Sequence, residues 1–428
     1  MNDKKINIAI LGLGYVGLPL ALEFGKKFNT IGFDINKTRV SELKLKTDKN
    51  LLSKREDFIK SKKLSFSSNF KNLNNSNIFI ITVPTPVSKN NKPDLKYLRS
   101  ASKIVGCLLK THNFVIYEST VYPGLTEEEC VPILEKVSKL KINKDFFVGY
   151  SPERISPGDN KRLKDISKIV SGSNEYAATF VYNLYKKIIK AEVFKAKSIK
   201  IAEAAKVIEN AQRDINISFM NEISLIFSKL KINTQDVLEA ASTKWNFLQF
   251  KPGLVGGHCI SVDPYYLTYK AKKVGYSPQV ILSGRKINEN MGHYISNLLL
   301  KKLKKNYFNL SKIKIGIMGV TFKENCNDLR GSKVIDIIKD LKKSGAEVLI
   351  YDPIVKNTEF NKYLPDIKIK KITTKVDALI IAVAHKEFLK LNISDLKNIL
   401  RNKNSILMDV KSIFRDDKIK NSFDYWSL

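Results

Sequence analysis

Ile6-Asn-Ile-Ala-Ile-Leu11 runs without a break into Gly12-Leu-Gly14-Tyr-Val-Gly17, and apolar residues continue at Leu18, Leu20, Ala21, Leu22 and Phe24. The first six residues read as a strand of a buried parallel sheet, and the segment opened by Gly17 reads as a helix. A second short strand, Thr30-Ile-Gly-Phe33, ends at Asp34. Strand, G-x-G-x-x-G, helix, strand and an acid about 20 residues on make a dinucleotide-binding fingerprint in its structural context. Each part has its own physics. Glycines let the backbone reach a pyrophosphate, and the helix N-terminus attracts its charge. A carboxylate at Asp34 accepts from both ribose hydroxyls and repels a 2′-phosphate, so the reading is NAD, not NADP. Gly12, Gly14, Tyr15, Val16, Gly17 and Asp34 are therefore cofactor candidates, with Arg39 just beyond.

Lys-rich, helix-like sequence follows to about residue 63, and then three more strands each run into a loop. Ile78–Val83 ends in Pro84-Thr-Pro86, Phe114–Tyr117 leads into Glu118-Ser-Thr-Val-Tyr-Pro-Gly124, and Phe146–Tyr150 leads into Ser151-Pro-Glu-Arg-Ile-Ser-Pro-Gly158. Ligands of doubly wound sheets sit beyond the carboxyl ends of strands. These loops thus direct Pro84, Thr85, Ser119, Thr120, Glu153 and Arg154 toward one crevice. Ser, Thr, Pro and Gly are also ordinary turn residues, and Glu153 between two prolines is the least ordinary of the group.

From about 198 to 230 the pattern is continuous helix, with Lys206, Asn210, Arg213 and Ile217 at spacings of three and four on one face. That face is either solvated surface or a set of donors to a site. Further on stands Lys251-Pro-Gly-Leu-Val-Gly-Gly-His-Cys-Ile-Ser-Val-Asp-Pro264. A cysteine leaving a glycine-rich loop suits an activated thiol, and the alternative is an inert thiol in a tight turn. Neighbours in sequence point apart, so His258 and Cys259 do not form a dyad. Lys312–Val320 is again a strand into a glycine turn, followed by a helix from about 332 and strands at Glu347–Tyr351, Ala378–Val383 and Ile406–Val410. This unit lacks the full glycine fingerprint, which suits a different nucleotide. The expected fold class is α/β, with two Rossmann-like doubly wound domains joined by a long central helix and a helical middle domain. The expected boundaries are 1–197 for the NAD-binding domain, 198–300 for the helical domain with the cysteine loop, whose long helix bridges domains or builds a subunit contact, and 311–428 for the second Rossmann-like domain, which suits a nucleotide-sugar diphosphate.

A chain of 428 residues with 43% hydrophobic and 10% aromatic residues has ample material for two or three cores. No run reaches the roughly 18 apolar residues of a membrane span, and the start reads as a strand instead of a signal peptide, so the expectation is a cytoplasmic protein without membrane insertion. Four scattered cysteines (Cys107, Cys130, Cys259, Cys326) and four scattered histidines indicate neither a disulfide framework nor a metal site. The net charge of +32 invites a nucleic-acid reading, but the lysines are dispersed and no basic arm stands out, so no nucleic-acid partner is expected.

Taken in order, GLGYVG (12–17), Asp34, PTP (84–86), ST (119–120), SPER (151–154), EAAKVIENAQRDINI (203–217), GGHCISVDP (256–264) and FKENCNDLR (322–330) resemble the UDP-glucose/GDP-mannose dehydrogenases along nearly the whole chain. SPER, TKWN (243–246) and VGGHCISVDPYYL (255–267) look most like the UDP-N-acetylhexosamine dehydrogenases of surface-polysaccharide (capsule, O-antigen) synthesis. The resemblance implies oxidation of a sugar C6 alcohol to a carboxylate with two NAD+ and one water. By the same resemblance, Cys259 is the nucleophile, Lys206 and Asn210 stabilise oxyanion charge, and Asp263 works with Lys206 in proton handling. Thr120 and Glu153 position water and move protons. Glu153, Arg154, Lys206, Asn210, Phe250, Pro252, Gly253, Gly256, Gly257 and Lys323 contact the substrate, and Arg330 reaches NAD. A homodimer or larger assembly is implied as well. Glucose-using members carry a second glutamate where Pro157 stands and an arginine near Thr243, so a 2-acetamido sugar (UDP-GalNAc or UDP-GlcNAc) is expected ahead of UDP-glucose, UDP-ManNAc or GDP-mannose. A non-catalytic sensor of nucleotide sugar and NAD is the alternative outside enzymology, and the intact Cys259, Lys206, Asn210 and Asp263 speak against it.

Overall fold

A computed structural model describes residues 6–48, 53–88, 90–155, 162–257, 260–414 and 416–428. The chain divides into two compact units: residues 1–210 with 265–277, and 211–264 with 278–428.

The first unit is built on an eight-stranded sheet in the order β3-β2-β1-β4-β5-β6-β7-β8. Its strands are β1 (Asn7–Leu11), β2 (Asn29–Phe33), β3 (Leu64–Ser67), β4 (Ile78–Ile81), β5 (Asn113–Tyr117), β6 (Phe146–Tyr150), β7 (Lys168–Gly172) and β8 (Val193–Lys195). All neighbours pair in parallel except β6 with β7. β4, β5 and β6 are buried along their whole length, as strands covered on both faces must be, which is why they read as unbroken apolar runs. The strand order reverses between β1 and β4, from which the sheet grows outward in opposite directions, and that switch point is where a doubly wound sheet opens a crevice.

The second unit carries a five-stranded parallel sheet, β10-β9-β11-β12-β13. Its strands are β9 (Lys314–Met318), β10 (Glu347–Tyr351), β11 (Ala378–Ile381), β12 (Ile406–Asp409) and β13 (Asp424–Ser427). Helix Val334–Lys343 buries Val334, Ile335, Ile337, Ile338 and Leu341 against it. The long helix Ile199–Leu230 begins in the first unit and continues into the second, and Gln279–Asn306 is the other long helix.

The Lys-rich, helix-like stretch up to residue 63 holds two short helices among its described residues, Lys37–Lys44 and Arg55–Lys60. The sequence reading did not name β3, β7, β8 or β13. β3, β8 and β13 are edge strands and β7 lies next to an edge; all carry polar or charged residues, and their pairing is decided by the rest of the sheet. No helix among the described residues is long and apolar enough to cross a membrane.

Candidate active site

In the first unit the three glycines of the Gly12–Gly17 loop answer to three separate constraints. Gly12 turns at φ +98°, a region that favours glycine. A Cβ on Gly17 would lie 1.8 Å from Gly12 O and 2.4 Å from Thr82 Oγ1, so helix Gly17–Gly25 can start where it does only without a side chain. At Gly14 a Cβ would meet nothing within 4 Å. Neither backbone strain nor internal packing demands glycine there, and open space beside a helix N-terminus that has no acidic first turn is what an incoming pyrophosphate needs. Tyr15 and Val16 complete the loop, half-buried.

Asp34 follows β2, partly buried. Its Oδ2 accepts from Leu13 N at 2.8 Å and its Oδ1 from Asn36 N at 2.9 Å, so the acid is held against the glycine loop. Arg39 is turned inward: Nε donates to Leu13 O at 3.1 Å, and Nη1 donates to Glu42 and Asp48 at 2.8 Å each. Open glycine, bare helix end and anchored acid together fit a dinucleotide.

The loops after β4, β5 and β6 lie side by side, because those strands are adjacent and parallel. Pro84 is exposed and Thr85 buried. Ser119 Oγ donates to Val83 O at 2.6 Å, linking two of the loops. The long helix fastens the other ends. Glu203, fully buried, accepts from Gly124 N at 2.5 Å and Thr126 N at 3.0 Å. Glu209 pairs with Arg154 at 2.8 Å. Lys206 and Asn210 lie one turn apart on the same helix between and beside these two acids. Thr120, Glu153, Lys206 and Asn210 are thus delivered by three elements that are bonded to one another. Burial pushes the Glu203 carboxyl up to about 7, against the pull of its Thr126 and Gly124 donors.

Beneath Glu153 lies a charged cluster that sequence reasoning missed. Lys168, 1% exposed on β7, donates to Glu118 Oε2 at 2.6 Å and to Pro152 O at 3.1 Å, and stands 3.6 Å from Glu153 Oε2. Tyr185 donates to the other oxygen of Glu118. Burial acts to lower the Lys168 ammonium, but Glu118 and Glu153 outweigh it and hold it above its ordinary value. Burial likewise raises Glu118, against the charge of Lys168. Glu153 Oε1 accepts from Arg154 N (2.7 Å) and Ile155 N (2.6 Å), which fixes the carboxylate. Lys206 is only 7% exposed, and no hydrogen bond or ion pair engages its ammonium among the described residues. Pro157 lies outside the described residues.

The second unit holds a cleft of about 350 Å³ lined by Leu254, Gly256, Thr321, Lys323, Lys333 and Lys411 among others. Pro252, Gly253, Gly256 and Gly257 are buried, and Phe250 is partly so. A Cβ on Gly256 would lie 2.6 Å from Gly331 O, and one on Gly257 (φ +89°) 2.7 Å from the Phe322 ring. Gly257 N donates to Arg330 O at 3.0 Å. The glycines of this loop therefore serve its close packing against the turn after β9. Arg330 itself is gripped by Asp328 at 2.6–3.0 Å. Asp263 is 3% exposed at the start of helix Asp263–Lys273. Cys259 and His258 lie outside the described residues. The sequence reading missed Lys333 and Lys411 in this cleft. Lys411 sits two residues past the end of β12, a position that strand-end reasoning of the kind applied to the first sheet would have flagged.

Comparison with known proteins adds to this geometry. Residues 6–189 match the NAD binding domain of the UDP-glucose/GDP-mannose dehydrogenase family, residues 200–290 its central domain, and residues 316–416 its UDP binding domain. The chain is 49% identical to a UDP-N-acetyl-D-glucosamine 6-dehydrogenase of Salmonella typhi, over 96% of each protein. It is 48% identical to another of that name from Pseudomonas aeruginosa, over 97% of this chain and 99% of that one. The structure of a UDP-D-ManNAc dehydrogenase from Pyrococcus horikoshii superimposes with a TM-score of 0.88 at 31% identity, covering 99% of both chains. A glycine loop shaped for a dinucleotide, a second Rossmann-like unit with a lysine-lined cleft, and sequence likeness from end to end agree: the chain belongs to the UDP-glucose/GDP-mannose dehydrogenase family and is an NAD-dependent nucleotide-sugar dehydrogenase.

Proposed function

We propose that the protein oxidises the C6 alcohol of a UDP-N-acetylhexosamine, UDP-GlcNAc or its galacto epimer UDP-GalNAc, to the uronic acid. One alcohol, one water and two NAD+ give one carboxylate, two NADH and three protons. The observation that carries the chemistry is Lys206, a largely buried residue whose ammonium has no partner among the described residues. An ammonium held in a mostly buried place without a counter-ion suits a site where an anion forms during turnover. The alkoxide, the tetrahedral adducts and the carboxylate of this reaction are such anions.

In this reading bound NAD+ accepts a hydride from C6 at each of the two oxidations. Lys206 and Asn210 hold the oxygen as charge develops on it. The Cys259 thiolate adds to the C6 aldehyde to give a thiohemiacetal, whose oxidation leaves a thioester. Water, positioned by Thr120 and Glu153, cleaves the thioester to release the acid and regenerate the thiol, with Asp263 and Lys206 handling protons. A thiol suits the task because it keeps a reactive aldehyde covalently bound between the two hydride transfers. Gly12–Gly17, Asp34, Pro84, Thr85, Ser119 and Arg330 are assigned to NAD. Lys323 and the 250–257 segment are assigned to the nucleotide sugar. Residues 1–197, 198–300 and 311–428 are the corresponding domains. The acetamido preference is supported by Pro157 and Thr243 standing where glucose users carry charge, and the gluco epimer over the manno one by the higher identity to the two glucosamine enzymes than to the mannosamine enzyme.

The proposal includes a homodimer or larger assembly. Ile201, Ile208, Phe219 and Ile226 recur at intervals of seven, eleven and seven along the long helix, each about half exposed, which leaves an apolar stripe to be covered. A cytoplasmic location and a place in surface-polysaccharide synthesis rest on the family resemblance. The test is the amount of NADH formed per sugar with UDP-GlcNAc, UDP-GalNAc, UDP-ManNAc, UDP-glucose and GDP-mannose offered separately. Two NADH with one acetamido sugar is the expected result. One NADH per sugar would remove the thioester step, and turnover confined to UDP-glucose would remove the acetamido assignment.

A further inference from the structure

One set of buried polar groups in the second unit takes no part in the chemistry above, yet it ends on the cleft of that unit. Asn221, 0% exposed on the long helix, faces Gly253 with both ends of its amide. Its Oδ1 accepts from Gly253 N at 2.8 Å and its Nδ2 donates to Gly253 O at 3.1 Å. The remaining Nδ2 hydrogen goes to Asn288 Oδ1 at 2.8 Å. Asn288, equally buried on Gln279–Asn306, donates to Asp214 O at 2.9 Å and Asp214 Oδ1 at 2.7 Å. Arg285 Nη1 donates to the same Oδ1 at 2.7 Å, and its Nη2 donates to Glu289, which also receives Lys333. Lys333 lines the cleft together with Leu254 and Gly256. One bonded chain therefore runs from the backbone of Gly253 to a lysine of the same cleft.

A primary amide is the side chain suited to this contact. It carries a donor and an acceptor side by side, so it can answer both the N–H and the C=O of one residue. Aspartate only accepts, and an aliphatic residue would leave both backbone groups buried without partners. A loop that merely had to cover helices would not need its backbone fixed at two atoms. Gly253 stands six residues before Cys259, within the segment whose glycines pack on Gly331 and Phe322. Any shift at Gly253 is passed to the cleft wall.

We propose that Asn221 is a positioning residue that fixes the 253–257 segment, and so sets the affinity of the cleft for the nucleoside diphosphate of the substrate. The inference rests on the functional reading above. Asn221→Asp keeps the shape and removes the donors, and Asn221→Ala removes the contact. In both, affinity for UDP by calorimetry falls about tenfold and KM for the nucleotide sugar rises to match, because buried backbone groups lose their partners. NADH affinity changes by less than roughly twofold, since apart from Arg330 the residues assigned to it lie in the other unit. A purely structural role would lower the melting temperature and leave UDP affinity untouched, and that result in a folded variant overturns the proposal. Hydrogen exchange on the unaltered, ligand-free protein supplies a second test that needs no variant. Residues 251–257 exchange slowly and 243–250 quickly if the clamp is preformed, and fast exchange across 251–257 overturns it. Failure of the unaltered protein to bind UDP would instead overturn the functional reading, and the exchange pattern would still judge the clamp.

Discussion

After Leu11 the first unit turns at Gly12 (φ +98°), and after Met318 the second turns at Gly319 (φ +84°). In each, the next N–H donates at 2.8 Å to an aspartate beyond the neighbouring strand: Leu13 to Asp34, and Val320 to Asp352. From there the two corners diverge. In the first, a helix opens at Gly17 and the acid stays partly exposed with capacity to accept more. In the second, the helix does not begin until Val334, and Asp352 is 4% exposed and saturated. Its carboxylate also takes Ile354 N (2.9 Å), Val355 N (3.0 Å) and His385 Nε2 (3.2 Å). The same fold corner is thus left open in one unit and closed as a structural staple in the other. The positive charge within reach is a helix end in the first unit and Lys323, Lys333 and Lys411 around the cleft of the second.

Five substitution experiments would break or sharpen this contrast. The largest effects are expected at the buried staple and the crowded glycine. Asp352→Asn leaves His385 and three backbone donors facing a weaker acceptor and should cost about 3 kcal/mol in urea unfolding of the second unit, with NADH binding unchanged. Gly17→Ala forces a methyl into Gly12 O and should cost a similar amount, about 3 kcal/mol, in the first unit, and abolish NADH binding. Next come substitutions read through ligand rather than stability. Gly14→Ala should leave unfolding unaltered yet weaken NADH about tenfold in a fluorescence titration, because the methyl occupies ligand space. Asp34→Asn should weaken NADH by about the same factor, tenfold, through the lost ribose acceptor. Undiminished NADH affinity in both would end the reading of this corner as the cofactor site. A smaller effect, about threefold weaker UDP with unchanged NADH, is expected for Lys411→Ala, since Lys411 is already paired with Glu324 at 3.3 Å.

The staple also predicts a pH dependence. Burial acts to raise the Asp352 carboxyl, but His385 and the backbone donors outweigh it and hold it below its ordinary value. A depressed carboxylate contributes stability that is fully present above the unfolded value, about 4, and is lost as pH falls through the folded one. The gap in unfolding free energy between the parent and Asp352→Asn should therefore be constant from pH 7 to about 5 and narrow in more acid solution. A gap that stays constant down to pH 3 would mean that the carboxylate is not the source of the stability.

The glycine loop and the strands beside it were legible because their constraints are local. Gly12 is required by its own backbone angle, and β4, β5 and β6 are apolar throughout because both faces are covered. Lys168 was not legible. On β7 it reads as a surface residue, and its burial is compensated by Glu118, 50 residues away, and by Glu153. Glu203 sat within a quoted motif without notice, since what distinguishes it is the pair of backbone donors at Gly124 and Thr126 that only folding brings to it.

By itself the sequence determined the order of the units, the NAD fingerprint and the family chemistry, because periodicity, glycine spacing and ordered motifs are properties of neighbouring residues. Tertiary structure alone decided that Asp352 is sealed while Asp34 stays open, and that Lys206 is largely buried with no partner among the described residues. It alone decided that Asn221 grips Gly253, 32 residues further along. Each of these depends on which groups distant in the chain come within hydrogen-bond reach. Burial then makes every such meeting, or its absence, energetically decisive.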